Sequence, residues 1–241
     1  MLCRITACAA FVFLLLICSA AADEAAIPQR ATAITTKSAP QPFGLDAKPI
    51  VGGTIIAKWS GVEAEIRAET EVLSQCRQGV WCPQAALRFL SIVDEGRSLT
   101  GRARVGVINR AVNLAIVPTS DWSQWGVADH WSTPLETFTT GRGDCEDYAI
   151  AKYVALRATG IAEDDVKLIV VSDIATAEDH VVVSVRLEDG WVILDNRWLT
   201  LVPDNQVWRV TPLFVLDDSG VRQFVNSAPV AKRQEIVPGT F

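Results

Sequence analysis

In Gly-Arg-Gly-Asp-Cys-Glu-Asp, residues 141–147, a single thiol stands among three carboxylates. A cysteine reacts as its thiolate, and neighbouring acids oppose that ionisation. Asp144 suits a helix N-cap, and Asp147, three residues on, suits the return half of a capping box. Cys145 then falls in the first turn of a helix running to about Thr159, with Gly160 as its stop. Free N–H groups and the positive end of the helix dipole meet the sulfur there and favour the thiolate. The rest of that helix, Tyr-Ala-Ile-Ala-Lys-Tyr-Val-Ala-Leu, is largely apolar and reads as buried, which would hold its first turn rigidly.

The acids have two readings. Asp and Glu are common at helix starts, so Asp144, Glu146 and Asp147 can be caps and nothing more. Yet three carboxylates oppose a thiolate more strongly than a dipole worth roughly 0.3–1 kcal/mol supports it. A bound cation would resolve the conflict. Ca²⁺ accepts carboxylate oxygens in flexible geometry, which makes Asp144, Glu146 and Asp147 candidate calcium ligands.

A nucleophilic cysteine needs a base, and the chain has two histidines. His180 opens His-Val-Val-Val-Ser-Val-Arg-Leu, a strand pattern, and Asp195 ends the next such run, Trp-Val-Ile-Leu-Asp. The Glu-Asp-Gly turn signal at 188–190 makes the two runs a hairpin, which brings His180 and Asp195 near each other. Asp195 could then orient the imidazole while His180 takes the thiol proton. His130, in a Trp-rich loop-like stretch, has no carboxylate on a paired strand and reads as structural. Zn²⁺ calls for three or four closely spaced ligands, which one Cys and one strand-edge His do not supply. The serine-hydrolase elbow and the phosphate-binding loop are both absent.

The elements that must position these groups follow from periodicity. Helical spacing lies on both sides of Cys76 and Cys82, and their pairing would close the turn between two helices, with Pro83 opening the second. Val105, Ile108, Val112 and Ile116 mark another helix, ended by Pro118. A loop-like stretch with Trp122, Trp125 and Trp131 comes next, either core packing or the lining of a groove. After the central helix the pattern turns to Val- and Ile-rich strands. Helices first and an antiparallel sheet after them make the fold class α+β.

Residues 1–22 carry an early Arg4, an apolar run and small residues before the cut, and read as a secretory signal peptide. A lipid anchor on Cys18 is the alternative, disfavoured by the bulky Ile17 before it. Export would leave Cys76, Cys82 and Cys145; an oxidising compartment pairs the first two and leaves one thiol that calls for a reason. The net charge of −6, with no Lys/Arg cluster, argues against nucleic acid as a partner. Residues 23–55 read as a flexible leader, 56–225 as one domain and 226–241 as a tail.

Together, Gly-Asp-Cys-Glu-Asp-Tyr-Ala at 143–149, His-Val-Val-Val-Ser-Val-Arg-Leu-Glu-Asp-Gly-Trp-Val-Ile-Leu-Asp at 180–195 and the upstream Asp-His-Trp-Ser-Thr-Pro-Leu-Glu-Thr-Phe resemble the bacterial transglutaminase-like cysteine proteases of the LapG type. The resemblance covers roughly residues 70–205. It implies a papain/transglutaminase-like fold, a periplasmic or secreted endopeptidase, a catalytic triad of Cys145, His180 and Asp195, and Ca²⁺ bound by Asp144, Glu146 and Asp147. It also implies a large surface adhesin as substrate, cut in biofilm control, and an inner-membrane cyclic-di-GMP receptor as regulator. Two other classes share these residues: a transglutaminase or amidase passing the acyl group to an amine, and a non-enzymatic binding module.

Overall fold

Val- and Ile-rich runs build a sheet, and the amphipathic stretches cover one face of it as helices. The computed structural model describes residues 41–79 and 81–228. The expected signal peptide over 1–22, residues 23–40 of the expected leader and residues 229–241 of the expected tail lie outside the described residues.

The first strand, β1 (Ala47–Pro49), precedes the long helix α1 (Thr54–Arg77). The expected leader, residues 23–55, takes in β1 and the first two residues of α1. Phe43, Leu45 and Ala47 pack on the sheet, and β1 pairs antiparallel with the last strand. An edge strand needs only its ladder hydrogen bonds and a few apolar contacts, so an otherwise polar segment suffices. Helix α1 buries Trp59 and Val62, and the Trp59 indole N–H donates to the Asp217 carbonyl at 3.1 Å. Cys76 and Cys82 are joined by a disulfide that closes the turn into α2 (Gln84–Arg97).

In α2, Ala86, Phe89, Leu90 and Val93 recur at three- and four-residue steps and are buried. Helix α3 (Gly101–Ala115) likewise buries Val105, Ile108 and Val112. It stops before Ile116, where the chain turns extended as β2 (Val117–Pro118). The Trp-rich stretch, expected as a loop, contains two short helices, α4 (Asp121–Trp125) and α5 (Pro134–Thr140). Neither is long enough to show a period. Their local signals are caps: Ser120 accepts the Ser123 N–H, and Thr133 accepts the Glu136 N–H with Pro134 at the first helical position.

Strand β3 (Arg142–Gly143) pairs parallel with β2 and leads into α6 (Cys145–Ala158), whose residues 147–153 are buried. The remaining strands are β4 (Val166–Asp173), β5 (Glu178–Leu187), β6 (Gly190–Leu194), β7 (Val202–Pro203), β8 (Val210–Asp217) and β9 (Gly220–Phe224). They form an antiparallel sheet in the order β1-β9-β8-β4-β5-β6-β7. Helix α6 packs with Val181, Val183, Val192 and Leu194 on one face, while Ile169, Val171, Val182 and Ile193 make a second core on the other. Strand β4 is buried on both faces, which explains its apolar run at residues 168–171. The hairpin expected around residues 188–190 joins β5 to β6. No helix among the described residues is long and apolar enough to cross a membrane.

Candidate active site

The β5–β6 ladder ends at the pair Val183–Leu194, so the chain leaves the sheet at Asp195. Two residues along on β5, on the face that Val182 shares, the His180 ring meets it: His180 Nε2 lies 3.0 Å from Asp195 Oδ1, and both residues are buried. Burial pushes the Asp195 carboxyl up, but His180 and the Arg197 guanidinium outweigh it and hold it well below the usual carboxylate range. An ionised carboxylate only accepts, so His180 Nε2 carries the proton and Nδ1 is left as the basic nitrogen.

Cys145 occupies the first turn of α6, half-buried. The loop before it is held by β2: the Val117 N–H donates to the Gly141 carbonyl and the Thr119 N–H to the Gly143 carbonyl, each at 2.9 Å. The thiol donates to Glu146 Oε2 at 3.0 Å. Burial, with the charge and hydrogen bond of Glu146, pushes the thiol pKa up; the Val181 backbone N–H works the other way. Val181 follows His180 directly, so the sulfur lies towards that end of β5, but the thiol's side-chain hydrogen bond goes to Glu146 and not to His180. Cys145, Glu146 and Val181 open onto a cleft of about 710 Å³ walled by Trp131, Lys58 and the segment entering α1.

The acids divide differently from the expected set. Asp144 and Glu146 converge with Asp121, at the start of α4, with a carboxylate oxygen of each within 4.8 Å of the others. Asp147 does not join them. Its Oδ1 accepts the Ser132 N–H at 2.8 Å and its Oδ2 the Asp144 N–H at 3.3 Å, so it ties the loop at Ser132 to the start of α6. Gly143 makes room for it, since a Cβ there would lie 2.5 Å from Asp147 Oδ2. Burial pushes the Asp147 carboxyl up to about 7. For Glu146, burial and then the Asp144 charge push it up to about 8.

Asp144 Oδ1 is buried with no hydrogen-bond partner among the described residues. An all-carboxylate set with an orphaned oxygen and crowded negative charge fits a hard divalent cation such as Ca²⁺. Asp121 was not legible as a member from its own surroundings, where it reads as the first residue after a Ser N-cap. His130, expected to have no carboxylate on a paired strand, meets one on a helix instead: its Nε2 lies 3.1 Å from Glu136 Oε2, and its ring packs on Trp125 at 4.7 Å. That pair is local to the α4–α5 region, where it holds the two short helices together.

Lys152, two turns along α6 from Cys145, is 1 % exposed and faces the Tyr148 ring at 5.9 Å. Burial pushes its ammonium down to about 7, with Asp195 working against the shift. An unfolded lysine titrates near about 10.4, so between those values the unfolded chain binds a proton that the folded one does not. Stability should therefore rise with pH across that window and carry the full cost of the buried charge below it. Lys152→Met is expected to be more stable than the parent at pH 7, by on the order of 1–4 kcal/mol, with the gain shrinking towards pH 10. Urea midpoints at the two pH values check this; a less stable variant at pH 7 would refute it.

A cysteine in the first turn of a buried helix, set against an antiparallel sheet with the histidine near the start of an interior strand, makes a transglutaminase-like fold. The profile of the bacterial transglutaminase-like cysteine proteinase family (BTLCP) matches residues 96–213, and the chain is a cysteine peptidase. Among solved structures it is similar to Legionella pneumophila LapG, at 19 % identity and a TM-score of 0.52, over 69 % of this chain and 87 % of that one. The calcium-bound form of that protein is similar at 18 % identity and a TM-score of 0.51, with 69 % and 87 % covered. Its EGTA-treated form gives 18 % and 0.52, with 71 % and 90 % covered. Among curated proteins no relative matches.

Proposed function

We propose that this peptidase is a periplasmic or secreted, calcium-dependent endopeptidase working through Cys145, His180 and Asp195. The observation that carries the reading is the 3.0 Å contact of His180 Nε2 with Asp195, next to Val181, whose backbone N–H bears on the Cys145 thiol. His180 Nδ1 takes the thiol proton, and the sulfur attacks a peptide carbonyl carbon to form a tetrahedral adduct. The Cys145 N–H, in the first turn and so outside the helix's own ladder, would donate to the oxyanion. The protonated His180 gives its proton to the departing amine, leaving a thioester; water, deprotonated by His180, then releases the acid and the thiol. Asp195 stabilises the imidazolium throughout.

Asp121, Asp144 and Glu146 would hold the cation, which when bound supplies positive charge against the acids that otherwise oppose the thiolate. The existence of a calcium-bound form of Legionella pneumophila LapG supports this choice of ion. The protease domain of this reading begins near Pro42 and not at 56, because β1 belongs to the sheet.

A peptidase acts on a protein, and we propose a large surface adhesin as that protein, with an inner-membrane cyclic-di-GMP receptor as regulator; the motif resemblance supports both. The test compares surface-protein fragments from cells with and without this chain. One large surface protein losing its N-terminal segment only when the chain is present is expected. No difference in fragments would remove the adhesin, and ammonia release with amine incorporation in place of cleavage would move the reading to acyl transfer.

A further inference from the structure

We propose that Arg197 is a positioning residue for the triad, holding the Asp195 carboxylate in the orientation that His180 needs; the inference rests on the proposed roles of Cys145, His180 and Asp195. Asp195 lies one residue past the end of the β5–β6 ladder, so the sheet does not fix its side chain. Its Oδ1 faces His180 Nε2 at 3.0 Å and accepts the Arg197 backbone N–H at 2.9 Å. Its Oδ2 accepts from Arg197 Nε at 3.1 Å and Nη2 at 3.0 Å. A carboxylate pinned at one oxygen can still pivot; a planar fork on the second oxygen removes that freedom.

The fork is anchored in turn. Arg197 Nη1 donates to Asp173 Oδ2 at 3.0 Å, at the end of β4, the strand that pairs with β5. From the helix layer, Asn113 donates to the carbonyls of Asp195 at 3.0 Å and Trp198 at 2.9 Å, and Asn109 to that of Trp198 at 3.0 Å. One guanidinium thus ties the turn after β6 to the end of β4, with the His180 end of β5 between them. The charges that bear on Asp195 are His180 from β5, Arg197 from its own turn, Asp173 from β4 through Arg197, and Lys152 from α6. His180 and Arg197 keep Asp195 ionised, while Asp173 balances part of the arginine's charge, so the cluster facing the imidazole is not left net positive. Lysine could replace the charge but not the fork.

The test needs no substrate. Cys145 is the free cysteine among the described residues, and its alkylation by iodoacetamide is followed on the peptide that carries it, using the full chain in calcium buffer. Arg197→Ala is expected to slow alkylation by about 10- to 100-fold, the cost of a misplaced supporting group. Free guanidinium ion should restore part of the rate in that variant, which relief of a folding defect would not do. The strongly deshielded His180 ring proton in the NMR spectrum should be lost as well. Arg197→Lys serves if the alanine variant does not fold, with about tenfold slowing expected because an ammonium makes no fork.

Asp195→Ala is measured alongside. If it is slow while both Arg197 variants react within twofold of the parent, the positioning role is overturned and the triad stands. If Asp195→Ala reacts at the parent rate, the triad fails and Arg197 falls with it.

Discussion

Cys145→Ala is expected to abolish proteolysis, with a loss of about 10⁴-fold or more, while the fold stays intact. A covalent route vanishes with its nucleophile, and the remaining partners act only as a unit with it. The fold should tolerate the change because the residue is half-buried and the thiol's hydrogen bond goes to Glu146, one residue along the same helix. The loop before α6 is held by β2 and by Asp147, and neither support involves the sulfur. Fragment release and thermal unfolding are the two measurements. Full proteolysis by the folded variant would end the covalent reading; loss of both activity and fold would show that the thiol is structural.

Chelation is expected to remove activity reversibly, and Asp121→Ala to remove it even in excess Ca²⁺. Without a cation, burial and crowding keep Glu146 at about 8 and hold the thiol protonated. Binding to the folded chain alone contributes about 2.7 kcal/mol when free Ca²⁺ is a hundredfold above its Kd. For a chain of this size that corresponds to a rise in Tm of about 5–11 °C. Asp121→Ala should lose that rise. Asp147→Asn should keep it but start from a lower Tm, since its carboxylate serves the Ser132 and Asp144 N–H groups. A Ca²⁺ response that survives Asp121→Ala and disappears with Asp147→Asn would restore the ligand set expected from spacing alone.

What could be seen in the sequence was decided by local physics. Asp144 and Asp147 bracket the first turn of a helix because capping depends on a three-residue offset, so the position of Cys145 followed from its neighbours. The approach of His180 to Asp195 followed from a two-residue turn and strand alternation, both short-range rules. The apolar runs also announced α2, α3 and β4–β6, whose patterns are long enough to show a period.

Only the tertiary structure could place Asp121 beside Asp144 and Glu146, because the two segments meet through the β2–β3 pairing, and nothing in the surroundings of Asp121 encodes that contact. It also turned Asp147 inward onto backbone donors, a choice set by which side of the first turn faces the Ser132 loop. Strand β1 joined the sheet from a stretch whose composition reads as leader, because an edge pairs through backbone groups that every sequence carries. Arg197 is the sharpest case: a charged residue in a turn is ordinary until folding sets β4 within reach of its guanidinium and gives it two carboxylates to hold.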